Sequence, residues 1–95
     1  MYARVATFQN DPAKIDGAIA EIRENIDAGL PTMPGLEGAK FLMLADRESG
    51  KMIGITLFET EEAMRVGDAA MNSGRGVAGS RSGVEFYEIP LHTLA

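Results

Sequence analysis

Two stretches of this chain lack the alternation that a half-exposed strand requires. Phe41-Leu42-Met43-Leu44 and Met52-Ile53-Gly54-Ile55-Thr56-Leu57-Phe58 place apolar side chains at odd and even positions alike. Successive side chains in a strand point to opposite faces, so a sheet built from these segments is apolar on both. Helices of the same chain can close one face. The other needs a cover as well, and a chain of 95 residues has none to spare for a third layer. The economical cover is a second copy, packed sheet to sheet about a two-fold axis. Leu42, Leu44, Ile53, Ile55 and Leu57 are the residues expected at the centre of that homodimer interface.

The remaining sequence supplies the helices. Tyr2 to Gln9 is an aromatic and β-branched run that stops at Asn10-Asp11-Pro12. There Asp11 can cap a helix and Pro12 fits its first position, where a missing N–H costs nothing. A helix is predicted from Pro12 to about Ala28, with Ile15, Ala18, Ile19, Ile22 and Ile26 on one 3.6-residue stripe. Leu30 to Gly38, with Pro31, Pro34, Gly35 and Gly38, reads as a loop. Ala39 to Ala45 and Lys51 to Glu59 form a hairpin through the polar segment Asp46 to Gly50. Thr60 then caps a second helix that begins with Glu61 and Glu62 and runs to about Asn72. Its expected inward residues are Ala63, Met64, Gly67, Ala70 and Met71. Ser73 to Gly83 reads as a connection, and Val84 to Leu91 as the last strand, with Pro90 marking an edge or a strand end.

The order β, α, β, β, α, β within a single domain spanning 1–95 predicts an α+β, ferredoxin-like fold. It has a four-stranded antiparallel sheet in the order 4-1-3-2, two helices on one face, and a dimeric α/β barrel when two copies associate.

Charge and composition exclude several functions. Fourteen acidic against nine basic residues leave a formal charge of −5, which repels nucleic acid and anionic lipid in the absence of a basic patch. RNA-binding modules of this topology stack bases on strand-3 aromatics, and the matching positions here are Ile53 and Ile55. There is no cysteine and one histidine, so no metal and no thiolate chemistry are expected. No apolar run is long enough for a membrane span, and Met1 leads directly into a strand pattern without a signal peptide. The expected location is cytoplasmic.

Two motifs carry a resemblance. Pro34-Gly35-Leu36-Glu37-Gly38 ahead of a strand, and Ile55-Thr56-Leu57-Phe58-Glu59-Thr60-Glu61-Glu62-Ala63 across a strand-helix junction, resemble the dimeric α/β-barrel superfamily and its antibiotic biosynthesis monooxygenase branch. The resemblance implies a pocket between sheet and helices. It also implies a cofactor-independent monooxygenase acting there on an aromatic or quinol-type small molecule. Carried over position by position, the ligand-binding candidates are Arg4, Thr56, Phe58, Met64 and Phe86, with Tyr87 beside them; no catalytic residue is assigned. The haem-degrading branch differs: its junction tryptophan is Phe58 here, its helix-2 histidine has no counterpart, and residues 2–9 contain no Asn. The alternative function is a noncatalytic homodimer that binds a small ligand or serves a structural role.

Three candidates have plainer explanations. Arg4 is a cation in the middle of a central strand and must be paired, which favours an ion pair with Glu85 or Glu88 over a ligand anchor. His92, beyond Pro90, reads as a solvated tail residue rather than a general base. The Ser73 to Gly83 segment, with Arg75 and Arg81, lacks the Lys-Ser/Thr of a phosphate-binding loop and reads as a surface connection.

Overall fold

A computed structural model of the chain describes residues 1–29, 35–72 and 80–94, the last segment's first two residues by their backbone only. Strand β1 is Tyr2–Gln9; a 3-10 turn, Pro12–Lys14, leads into helix α1, Ile15–Asp27. Strands β2, Lys40–Ala45, and β3, Lys51–Phe58, form the hairpin, followed by helix α2, Glu61–Asn72, and strand β4, Ser80–Glu88. The strands lie side by side in the order β2-β3-β1-β4, every neighbouring pair antiparallel. This is the expected ferredoxin-like arrangement.

Local chemistry sets the element boundaries. The Asp11 carboxylate accepts from the Ala13 amide at 2.9 Å, and the Thr60 hydroxyl accepts from the Ala63 amide at 3.0 Å, so each helix entry has the cap its sequence offered. The hairpin closes through Asp46, whose amide donates to the Lys51 carbonyl at 2.8 Å. Gly50 leaves the turn at φ 83°, and a Cβ on it would run into the Asn10 carbonyl. No other residue suits that corner, where the Asn10 amide also donates to the Gly50 carbonyl at 2.9 Å.

Strand alternation assigns the faces. Tyr2, Arg4, Ala6 and Phe8 of β1 point to the helices, opposite Phe58, Thr56, Gly54 and Met52 of β3. Phe8 and Met52 meet Ile15, Ala18, Ile19 and Ile22 of α1 in one core cluster. Tyr2 and Phe58 meet Leu36 and Met64 in a second, under α2. The α1 stripe and the inward set of α2 are thus where the periodicity placed them. Gly67 lets α2 close in, because a Cβ there would overlap the Phe58 ring.

The last strand differs from expectation. It begins at Ser80 rather than Val84 and ends at Glu88 rather than Leu91. Residues 80–83, read as part of a connection, pair with Thr7, Phe8 and Gln9, while 73–79 lie outside the described residues. The ladder along β1 outweighs the poor strand propensity of Ser and Gly. A register shift between Thr7 and Phe8 absorbs Ser82 as a bulge, and its hydroxyl donates to the Thr7 carbonyl at 3.3 Å.

The opposite face of the sheet carries Leu42 and Leu44, each 49% exposed, with half-buried Ile53, Ile55 and Val5 beside them. Leu57 shares that face but is 6% exposed, already buried within one chain. No helix among the described residues is long and apolar enough to cross a membrane.

Candidate functional site

Arg4 is 3% exposed at the centre of the sheet, between β3 and β4, and its side chain rises toward the last turn of α2. Its Nε donates to Asp68 Oδ1 at 2.7 Å, its Nη2 to Asn72 Oδ1 at 3.2 Å and its Nη1 to Met71 Sδ at 3.6 Å. Asp68, Met71 and Asn72 stand at i, i+3 and i+4, one face of the helix. The expected ion pair with Glu85 or Glu88 is therefore replaced by one with Asp68. Glu85 lies opposite Val5 and so on the other face of the sheet, where it accepts from the Tyr87 hydroxyl at 2.7 Å. Glu88 lies on the helix face but opposite Tyr2, two pairs further along the ladder than Phe86, which faces Arg4. The last turn of α2 contains no basic residue of its own. Arg4 brings a positive charge from the sheet to the negative end of that helix dipole, so the pair also ties α2 to β1.

Thr56, opposite Arg4 on β3, is 2% exposed, and its hydroxyl also points at Met71 Sδ, at 3.6 Å. Phe86, opposite Arg4 on β4, is 48% exposed. These three expected site residues make one row across β3, β1 and β4. Phe58 and Met64 do not join it; they are packed in the neighbouring cluster with Leu36. Sequence reasoning placed Met71 on the inner side of α2 but missed it as a shared acceptor. A methionine at helical spacing looks like core filler, and no sequence signal marks a sulfur that receives two hydrogen bonds.

The other candidates stand apart. The His92 ring accepts from the Leu94 amide at 3.2 Å in the exposed segment after β4 and joins no cluster. Among the described residues, no group of three or more His, Cys, Asp or Glu is arranged to hold a metal ion. Arg75 and the side chain of Arg81 lie outside the described residues. Among the described residues two titrating groups are clearly shifted, both at the surface. The Glu48 amide, then the Ser49 hydroxyl and amide, hold the Asp46 carboxyl below its ordinary value of 3.8. The Glu85 carboxylate holds the proton on Tyr87, raising that phenol above 10.0. A shallow cleft of about 150 Å³ lies between α1 and β2, lined by Ile19, Ile22, Arg23, Ile26, Asp27 and Met43. It is smaller than the roughly 300 to 1,000 Å³ of ordinary ligand pockets.

No family model matches the chain, and no solved structure matches it. Similar curated proteins include two from Mycobacterium tuberculosis, both uncharacterized. Rv2558 is 37% identical over 65 residues, covering 68% of this chain and 27% of that protein. Rv2557 is 39% identical over 64 residues, covering 67% of this chain and 28% of that protein. The chain thus matches little more than a quarter of the length of these relatives.

Proposed function

We propose that the chain is a noncatalytic homodimeric module, two copies packed sheet to sheet, with a ligand-binding or structural role. The observation that carries this is the apolar sheet face turned away from the helices. Leu42 and Leu44 are half exposed there beside Ile53, Ile55 and Val5. Four strands at ~4.8 Å spacing and ~26 Å length give a footprint of roughly 500 Å². That is within a factor of two of the ~800 Å² that each partner contributes to a standard interface. Similarity confined to a quarter of longer relatives also suits a module more than a whole enzyme. Sedimentation of the purified chain tests the reading: a dimer is expected at micromolar concentration, and a monomer across the range refutes it.

Cofactor-independent oxygenation of an aromatic or quinol-type molecule is the second reading. Its support is the row of Arg4, Thr56 and Phe86, in which an exposed aromatic ring adjoins two buried donors. It ranks second because Arg4 and Thr56 already donate to groups of α2, and Phe58 and Met64 are packed away. Oxygen uptake with a panel of quinols and anthrone-like phenols tests it. Turnover lost in Thr56→Val supports it, and no uptake across the panel refutes it.

A further inference from the structure

The two edges of the sheet are defended unequally. Strand β4 carries Glu85 and Glu88 and is bent by the bulge at Ser82, features that discourage a further strand. Strand β2 carries no charge from Phe41 to Ala45, and Leu42, Met43 and Leu44 are 49%, 36% and 49% exposed. Its backbone is open as well. The Asp46 amide donates to the Lys51 carbonyl and the Asp46 carbonyl accepts from the Gly50 amide, so Asp46 turns both groups inward, toward β3. Antiparallel pairs alternate and the register is unbroken, so Leu44 and Leu42 turn inward in the same way. Phe41, Met43 and Ala45 therefore point their N–H and C=O groups outward, where no further strand pairs with β2 among the described residues. Their side chains share the helix face, opposite Thr56, Gly54 and Met52, and Met43 forms one wall of the cleft between α1 and β2.

We infer that β2 is an edge-pairing surface for a second copy of the chain, joined antiparallel about a two-fold axis through Met43, so that two four-stranded sheets become one continuous sheet. Backbone, faces and charges select the same register. New hydrogen bonds need outward groups on both strands, so Phe41, Met43 and Ala45 must oppose one another. An axis perpendicular to the sheet keeps all helices on one side, and these three residues satisfy it because their side chains share the helix face. With Met43 opposite the partner's Met43, Phe41 meets the partner's Ala45, and every outward residue of both strands is bonded. A shift by two residues in either direction loses one of the three pairs. In the centred register Lys40 stands opposite the partner's Asp46, twice by symmetry, and Leu42 opposite the partner's Leu44. The shifted registers set Lys40 or Asp46 against a leucine instead. The partner's Met43 then lies at the mouth of the cleft, where Ile19, Ile22 and Ile26 offer an apolar wall to its unbranched side chain. The inference goes beyond the sheet-to-sheet dimer and does not rest on it: that dimer covers side chains on the face, whereas this pairing bonds backbone at the edge.

The contact is narrower than a standard interface, which puts its Kd at about 0.1 mM, above the micromolar range that tests the face dimer. Solvent-exchange NMR of the full chain at about 20 µM and about 1 mM reads the pairing amide by amide. The Phe41, Met43 and Ala45 amides should exchange about fourfold more slowly at the higher concentration, while those of Leu42 and Leu44, bonded to β3, are protected at both. Met43→Pro removes the central outward N–H without touching a bond to β3, a place where an edge strand accepts proline. It should abolish the slowing at Phe41 and Ala45 and keep Leu42 and Leu44 protected, which shows the fold intact. Lys40→Glu sets a like charge opposite the partner's Asp46 and should cut the slowing to less than about twofold. If Met43→Pro does not fold, Lys40→Glu decides the matter. Equal exchange of the three amides at both concentrations, slowing that persists in folded Met43→Pro, or slowing untouched by Lys40→Glu each overturns the inference. Ile55→Lys separates the two associations: it opens the sheet face and should leave the slowing in place. Loss of the slowing in soluble Ile55→Lys assigns the protection to the face and overturns the edge pairing, whereas a monomer at micromolar concentration with the slowing intact overturns only the sheet-to-sheet dimer.

Discussion

Gly67 and Gly17 lie in the two helices and should respond to the same substitution with opposite signs. Replacing a helical glycine with alanine removes backbone entropy from the unfolded chain, a gain of about 1 kcal/mol when the new methyl meets nothing. At Gly17, exposed on α1, a Cβ has no neighbour within 4 Å, so Gly17→Ala should realise that gain. At Gly67 the Cβ would overlap the Phe58 ring and lie 3.2 Å from the Gly35 carbonyl. Phe58 has little room to yield, being 4% exposed between Leu36 at 1% and Met64 at 5%. Overpacking of this kind costs about 1 to 3 kcal/mol, and a displaced α2 would also strain the bond from Arg4 to Asp68. Gly67→Ala should therefore lose up to about 2 kcal/mol net of the propensity gain. For a domain of this size that is a fall in Tm of up to roughly 15 °C, against a rise of several degrees for Gly17→Ala. Urea unfolding and thermal melts at one fixed protein concentration would measure both, since any dimer links stability to concentration. Because the two variants share the propensity term, their difference isolates the contact with Phe58. A Gly67→Ala protein stabilised as much as Gly17→Ala would refute the close seating of α2.

Asp68→Ala should strip the counterion from Arg4 and cost about 2 to 3 kcal/mol in urea unfolding. That is below the ~3 to 5 kcal/mol of a fully buried pair because the Asp68 side chain is 23% exposed. Asp16→Ala, at the exposed pair with Arg47, should change stability by less than about 1 kcal/mol. Asp46 has a folded-state pKa below 3.8, so its contribution to stability is complete above that value and is lost as the pH falls through the folded one. Asp46→Asn should therefore flatten the decline in stability below pH 3.8, measured by denaturation across an acid series, and an unchanged acid profile would count against the turn geometry. Ile55→Lys, on the sheet face away from the helices, should convert the proposed dimer to monomer or aggregate, and a soluble, unchanged dimer on sedimentation would rule out that face as the interface.

The sequence showed much of the fold because the deciding interactions are local. Asp11, Pro12 and Thr60 mark helix entries through bonds that span two or three residues, and the Ile stripe of α1 follows from helical geometry. The candidate site was legible only in part. Arg4 stood out as a charge in a central strand, and Thr56 and Phe86 as its companions, but its partner was misassigned to the neighbouring strand. Cross-strand pairing is the contact that sequence patterns can address; a bond to Asp68, 64 residues away, depends on how far α2 leans over the sheet. That lean rests on a missing methyl at Gly67.

The two runs without alternation, Phe41 to Leu44 and Met52 to Phe58, were enough by themselves to require a sheet apolar on both faces, because the side-chain period of a strand leaves no other outcome. The order of the elements and the side of each helix that turns inward followed from the same kind of periodic rule. Only the tertiary structure decided the rest. Pairing along the whole of β1 drew Ser80 to Gly83 into β4 against their propensity. The approach of α2 gave Arg4 an acid, an amide and a thioether, and brought Thr56 to the same sulfur. These contacts join residues far apart in the chain, and their distances are set by packing between layers, a property that no stretch of sequence carries on its own.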